Sequence, residues 1–475
     1  LKMTRIIFWN VVAIVFIIFQ SACASEPIRQ NPDNPHYFLF RGKPTVLVTS
    51  GEHYGAVLNG DFDYVRYLDE LHANRLNYTR LFSGVYFESP GDFGIVQNTL
   101  APDPAALLLP WARSLQPGYV LGGNKFDLNS LDAKYLARLK DFLAKADERG
   151  IVVELVLFSV FYQQGQWDHS PMNAANNING IGICPREKAL TLDNGNLLAA
   201  QELFIRQLMT ELNAFDNLYY ELVNEPWTNI SNEWIDHMIN VAATAEDSLP
   251  KRHLIAHDVP SKPTEAGARY ARDNAHISVL NMHYERDLKN MSYYYPAGKV
   301  LSYDETGFDG NADHPYHVQA WQYMLAGGGV YDNLDYSFVV GHENGSAQVA
   351  PGTPGGGSVK LRLELSYLKA FLESFDLVKL NPAEGLVAGG VPDGGLVRVL
   401  AEPGRQYAIY IRGGSKTTLQ ITLPKGSYTL QWLNTMTGAT DKSDILANHP
   451  GGPASLPSPP YSSDIALSIR TALAD

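Results

Sequence analysis

Eight short apolar runs, rich in β-branched and aromatic residues, recur along this chain with longer amphipathic stretches between them, and few folds accommodate such alternation. The runs are Thr45 to Thr49, Asn77 to Phe82, Ile151 to Phe158, Leu218 to Val223, His253 to Ala256, Ile277 to Met282, Lys299 to Tyr303 and Gly328 to Tyr331. Helical periodicity falls between or after them over Phe62 to Ala73, Leu131 to Arg149, Asn196 to Asn213, Asn232 to Asp247, Tyr316 to Ala326 and Val359 to Phe375, while the fifth and sixth helices are poorly marked. The expectation is an α/β fold, a (β/α)8 TIM barrel over 37–375 with a parallel sheet inside and helices outside.

The connections are uneven. Ser83 to Ser130 after the second strand and Ser159 to Leu192 after the third are long enough to be functional, and carry Trp111, Tyr119, Tyr162 and Trp167. Aromatics at a barrel mouth suit the apolar faces of sugar rings, although any single one is better explained by packing its own loop down. Gly341 to Ser358, rich in Gly and Pro, reads as a flap or a tolerated insertion. From Asp376 onward the texture changes to short alternating runs (Leu396 to Leu400, Gln406 to Ile411, Thr418 to Leu423, Tyr428 to Leu433, Ile465 to Ile469) separated by turn residues, which predicts an antiparallel β-sandwich accessory domain over 376–475.

Composition excludes some partners. At 475 residues, with 37 basic against 50 acidic side chains and a formal charge of −13, the chain lacks the basic patch a nucleic-acid binder needs, and a neutral substrate is unaffected. Residues 1–25 read as an export signal: Lys2 and Arg5, an apolar run from Ile6 to Phe19, then Ser21-Ala22-Cys23-Ala24-Ser25. Ala22-Cys23-Ala24 fits a small-x-small cleavage site, and Cys23 after Ser21-Ala22 also resembles a bacterial lipobox, with Gln20 where Leu is usual. The lipoprotein reading is slightly favoured, giving an extracytoplasmic protein whose membrane contact runs only through that lipid anchor. Cys184 then has no evident partner for a disulfide.

Two carboxylates carry the chemistry. Leu218 to Trp227, LYYELVNEPW, delivers Glu225 at the carboxyl end of the fourth strand, and Val300 to Gly307, VLSYDETG, delivers Glu305 at the end of the seventh. In a closed barrel all strand ends converge on one mouth, so these two face a common space. Paired carboxylates about 5 to 5.5 Å apart support glycoside cleavage with retention, one as acid and the other as nucleophile. Such an acid must hold its proton, and a neighbouring carboxylate in a partly dry cleft is expected to raise its pKa.

YYELVNEPW resembles the fourth-strand signature of clan A glycoside hydrolases, particularly the cellulase-like family 5 group, and SYDETG is similar to their seventh-strand nucleophile segment. The resemblance implies Glu225 as acid/base and Glu305 as nucleophile of a retaining β-glycosidase acting on β-linked oligo- or polysaccharide. It also implies Asn224 as partner of the sugar 2-hydroxyl, Arg80 of NYTRLF as the group that keeps the nucleophile ionised, and His283-Tyr284 of NMHYE beside it, with Tyr284 as the nucleophile's partner. Trp227 and Tyr331 are further sugar-contact candidates. The third strand ends Leu157-Phe158-Ser159 without the His of that pattern, and the eighth ends Val330-Tyr331-Asp332 where a Trp is common, which puts the identity of the reacting sugar in doubt.

Other readings of the same residues remain. Arg80 pairs with Glu221 nearly as readily as with a catalytic group, and His283 alone reads as a satisfied buried histidine. Glu52 and His53 after the first strand, and His257-Asp258 after the fifth, are candidates to line the site. Three His and Asp304 at strand ends raise a metal-dependent hydrolase, but Gly51-Glu52-His53-Tyr54 lacks the paired His such sites use, so no metal or cofactor is expected. A non-catalytic polysaccharide-binding barrel is the third class. Chelator insensitivity, with turnover lost but binding kept on Glu305→Gln, separates the three.

Overall fold

The computed structural model describes residues 26–226, 230–260, 262, 264–286 and 288–472. The export signal and Trp227 lie outside the described residues. All eight expected strands form: β1 Leu47–Gly51, β2 Tyr78–Phe82, β3 Val152–Ser159, β4 Leu218–Asn224, β5 Ile255–Asp258, β6 Ile277–His283, β7 Val300–Glu305 and β8 Val330–Leu334. Most reach one to three residues further toward the mouth than the apolar runs, because their last positions are the polar ones. Every ladder is parallel and follows chain order from β2 to β8, and β8 returns to β1 in register from Val330↔Leu47 to Leu334↔Gly51. Such strands are covered on both faces, which is why they read as unbroken apolar runs.

The seam between β1 and β2 closes differently. Among the described residues no ladder joins them; instead the Asn77 side chain accepts from the Val48 amide at 3.0 Å and donates to the Val46 carbonyl at 2.9 Å. Higher up, the Phe82 amide donates to the Tyr54 carbonyl at 3.0 Å. One amide side chain thus stands in for a run of backbone bonds.

Outside the ring lie α1 Tyr64–Ala73, α2 Ala133–Glu148, α3 Leu198–Leu212, α4 Asn232–Ala245, α5 Glu265–Asp273, α6 Met291–Tyr294, α7 Asp313–Met324 and α8 Val359–Glu373. Asp63, Asp132, Ser231, Thr264 and Ser358 cap five of them by accepting a backbone N–H of the first turn. The two helices that sequence barely marks are short: α5 buries only Ala271, and α6 is a single turn. With so little buried face, no 3.6-residue stripe is required of them.

The polar lead-in is itself structured. Arg29–Gln30, Phe38–Phe40 and Lys43–Thr45 make a small antiparallel sheet that closes the barrel floor, packing Ile28 and Phe38 against Tyr78, Tyr219 and Val300. At the other end of the chain an antiparallel six-stranded sheet faces a three-stranded one around Ile409, Ile421, Trp432 and Leu467. Two of its strands, Thr440–His449 and Gly452–Pro457, were not marked in sequence, since TDKSDILANH presents polar groups at most positions. This sandwich docks on α7 and α8. Trp321 stacks on Tyr410 with centroids 5.6 Å apart, and buried His317 lies 3.0 Å from Glu364 and 3.4 Å from Asp464.

The long loops are ordered by their own aromatics. Trp111–Pro117 pairs with Asn124–Leu131 as a hairpin, and Trp111, Tyr119 and Trp167 pack on Phe204, Phe126 and Phe161. The Gly/Pro-rich segment after β8 is packed closely too. Gly357, at φ 140°, leaves no room for a Cβ, which would fall 1.8 Å from an Asp335 carboxylate oxygen. Arg362 of α8 holds this region: fully buried, it donates to Asp335 at 2.8 Å, Ser337 at 3.1 Å and the Gly345 carbonyl at 2.9 Å. Removing it strands a buried carboxylate, so Arg362→Ala should lower stability by about 3–5 kcal/mol, read from the urea midpoint at unchanged slope.

Candidate active site

The strand ends converge on a cavity of about 260 Å³ at the barrel mouth. Glu305, the last residue of β7, accepts from Arg80 Nη1 at 2.9 Å on one oxygen and from the Tyr284 hydroxyl at 2.5 Å on the other. Glu225 follows β4 in a left-handed conformation, φ 51°, and its amide donates to Asp258 at 2.8 Å. Its carboxylate meets His283 Nδ1 at 3.0 Å and the Tyr162 hydroxyl at 2.5 Å. One carboxylate oxygen from each of Glu225 and Glu305, and a ring nitrogen of His283, lie within 4.8 Å of one another.

Arg80 serves both partners that the sequence left in competition. Its guanidinium donates through Nε and Nη2 to Glu221 at 2.9 and 2.7 Å, through Nη2 to Asn224 at 2.6 Å, and through Nη1 to Glu305. Asp304 lies 3.1 Å from the same Nε. Asn224 in turn donates to Ser159 at 3.2 Å and to Tyr162 at 3.0 Å, so the Ser that replaces the pattern's His still takes part.

The protonation pattern departs from expectation at Glu225. Burial pushes its pKa up, but the hydrogen bond and charge of His283, then the Tyr162 hydroxyl and Arg80, outweigh burial and hold it below the usual value. His283 shows the opposite balance. Burial opposes its charge, yet Asp258, Glu305 and Asp304 surround it and push its pKa well up. The two shifts run in opposite directions, toward an imidazolium paired with a carboxylate. Beneath, burial raises Glu154 to about 7 and Glu221 to about 8, so the barrel interior carries protons as well as charge.

Of the residues singled out in sequence, Glu225, Glu305, Asn224, Tyr284 and His53 line the cavity, with Arg80 and His283 directly behind them. His257 and Tyr331 do not. Asp258 of β5 points inward to the Glu225 amide, so by strand alternation His257 points out, its ring edge-on to Tyr270 at 5.6 Å in a separate space; burial lowers its pKa to about 4. Likewise Asp332 accepts inward from the Gly51 amide, and Tyr331 turns outward to donate to the Tyr316 carbonyl at 2.7 Å. Beyond them, Leu334 and Tyr336 supply that side of the wall. Glu52 is also spoken for, accepting from the Gly55 and Ala56 amides at 3.0 and 2.9 Å.

Several lining groups escaped the sequence reading as site residues, Tyr162 and Glu88 among them. Tyr162 was noted only as a loop aromatic, although its place three residues past β3 brings it to the mouth. Glu88, deep in the long loop after β2, sits 3.6 Å from His53 Nε2 and had no local signal at all.

No protein-family model matches the chain, and no curated protein matches it in sequence. Solved structures do. One titled a glycoside hydrolase superposes with a TM-score of 0.61 at 12% identity over 95% of this chain and 98% of its own. A glycoside hydrolase family 5 structure from Bacteroides vulgatus ATCC 8482 gives 0.62 at 13% identity, covering 94% of each chain. The fold is that of these glycoside hydrolases. Folds host many chemistries, so activity has to be argued from the side chains at the mouth.

Those side chains make one titration informative. Tyr162 donates to the charged form of Glu225, so Tyr162→Phe removes a group that favours ionisation and should move the Glu225 pKa upward. Infrared titration of the carboxyl stretch, with Glu225→Gln to assign the band, reads the direction.

Proposed function

We propose that this chain is a retaining β-glycosidase with a carbohydrate substrate, in which Glu305 is the nucleophile and Glu225 the acid/base. The observation that carries the reading is the approach of the two carboxylates, whose nearer oxygens lie within 4.8 Å across the cavity. Retaining pairs stand about 5–5.5 Å apart, whereas inverting pairs need roughly 6.5–9.5 Å to admit a water between acid and base. The likeness of fold to glycoside hydrolase structures supports the class of reaction.

In the first step a Glu305 oxygen attacks the anomeric carbon, the glycosidic C–O bond breaks, and the departing oxygen takes a proton from Glu225. Arg80 and Tyr284 fix the attacking carboxylate's orientation through their two hydrogen bonds. His283, hydrogen-bonded to Glu225 at 3.0 Å, is placed to pass it that proton as substrate enters. Forming the ester removes the Glu305 charge, which lowers the proton affinity of both neighbours and leaves Glu225 a carboxylate ready to deprotonate water. That water cleaves the ester, Glu305 is released, and the proton returns to the Glu225–His283 pair. Asn224 lines the cavity beside Glu225, held by Arg80 and Tyr162, and a sugar hydroxyl beside the reacting carbon would have to take the place of one of its present partners.

Glu305→Ala should abolish hydrolysis, and azide added to it should restore turnover of activated aryl β-glycosides with a glycosyl azide of inverted configuration as product. An unimpaired Glu305→Ala protein sinks the assignment. Glu225→Ala should slow substrates with poor leaving groups far more than those with good ones, because the missing proton matters only when the departing oxygen needs it. Plotting log kcat/KM against leaving-group pKa for both proteins reads this as a steeper negative slope in the variant.

A further inference from the structure

The cavity opens on one side. Of the residues lining it only Phe93 and Phe308 are exposed, at 41% and 58%, and they stand on the loops after β2 and β7. His53, Tyr86, Glu88 and Tyr336 line it too, and each is more than nine-tenths buried. These four come from beyond β1, β2 and β8, whereas Glu225 follows β4 and Glu305 ends β7. The cavity therefore has a polar wall that the chemistry at the two carboxylates does not use.

That wall is stitched together across the junction of β1 and β2. The Thr99 hydroxyl donates to the His53 carbonyl at 2.9 Å, and the Glu88 amide donates to the Leu100 carbonyl at 2.9 Å. Gly55 lets the loop come this close, since a Cβ there would fall 2.2 Å from the Thr99 carbonyl. On one oxygen Glu88 accepts from the Tyr86 hydroxyl at 3.2 Å and lies 3.6 Å from His53 Nε2; on the other it accepts from Asn98. An ionised carboxylate has about four acceptor positions, so Glu88 keeps capacity for a ligand. Burial opposes a charge on His53, but Glu88, then Glu305 and Glu52, push its pKa up. Tyr336, edge-on to His53 at 5.3 Å, adds a hydroxyl that burial keeps protonated.

In the reaction proposed above, the anomeric carbon faces Glu305 and its bond to the leaving group points to Glu225. The hydroxyls across the sugar ring then face the opposite arc of the barrel, where His53, Glu88 and Tyr336 stand. A carboxylate accepts hydrogen bonds and donates none. A free hydroxyl satisfies it, whereas a glycosidic oxygen has no hydrogen to give and sets its lone pairs against a buried charge. Such a site rejects the wrong group far more sharply than an apolar wall does. At about 260 Å³ the cavity also falls below the roughly 300–1,000 Å³ of pockets that enclose larger ligands. We propose that His53 and Glu88 close the site behind a single sugar and read its free hydroxyls, so that the chain releases terminal sugars from the non-reducing end of β-linked substrates. The inference rests on the glycosidase reading for the direction in which the sugar lies, and on the wall for what lies beyond it.

Binding and product pattern test it separately. In the Glu305→Gln chain, titration calorimetry compares 4-nitrophenyl β-glycosides of glucose, mannose and galactose with their 3,4-di-O-methyl ethers. For the preferred sugar the free form should bind about a hundredfold tighter than the ether. Adding Glu88→Gln, whose amide can donate to an ether oxygen, should cut that ratio to about tenfold or less. The native chain, given reducing-end-labelled β-linked pentasaccharides of that sugar, should form monosaccharide and labelled tetrasaccharide first. Equal binding of free and methylated forms, binding by neither included, overturns the wall, as does a ratio that Glu88→Gln leaves unchanged. Labelled di- and trisaccharides formed as early as the tetrasaccharide, or no monosaccharide at all, overturn the single-sugar site while hydrolysis of the aryl glycoside still upholds the glycosidase reading. Failure of that reading shows instead as absence of hydrolysis of every glycoside by the native chain, whatever the binding ratio.

Discussion

The Arg80 guanidinium is the interaction on which the rest of the site depends. It is buried, touches Glu221, Asn224, Asp304 and Glu305, and draws these from β4 and β7 toward β2 across the barrel. A charge so placed pays a large desolvation penalty unless its partners are also in place, so the barrel must close before the site is stable. The carboxylates face the converse constraint. Seven of them, Glu154, Glu221, Glu225, Asp258, Asp304, Glu305 and Asp332, share an interior with one arginine and His283, and the excess is met by protonation: burial raises Glu154, Glu221, Asp258 and Asp332.

That crowding explains why Glu225 was misjudged from sequence. Two carboxylates across a cleft raise each other's proton affinity, and this was the effect the motifs showed. His283 opposes it by standing between Glu225, Asp258 and Asp304 at 3.0 to 3.6 Å. A ring surrounded in that way becomes the better base, and Glu225 is left as its counter-ion. The acid of the proposed reaction is thus a pair and not a single residue.

The barrel was legible because a strand buried on both faces must be apolar along its length, and eight such runs leave little choice of topology. Glu225 and Glu305 were legible because a carboxylate at the end of an apolar run has few structural reasons to be there. What sequence could not give was direction at the strand ends. His257 and Tyr331 differ from Asp258 and Asp332 by one residue, and one residue reverses the face. The floor sheet was missed because its strands are two or three residues long, and Tyr162 because its role depends on how the loop after β3 folds back. Glu88 came from forty-odd residues of loop whose path only the packed hairpin determines.

The seam at Asn77 gives the ring a direction of compliance. Seven of its eight junctions are ladders, in which each bond is backed by its neighbours; the eighth rests on Asn77, through its side chain and its amide's bond to the Val48 carbonyl, and on the Phe82–Tyr54 bond. Thermal breathing concentrates at the junction with the fewest mutually supporting bonds. The loops bearing His53 and Phe93 spring from the two strands on either side of that junction. An opening at that junction would widen the doorway on the side of β1 and β2, away from β4 and β7, whose ends carry the two carboxylates.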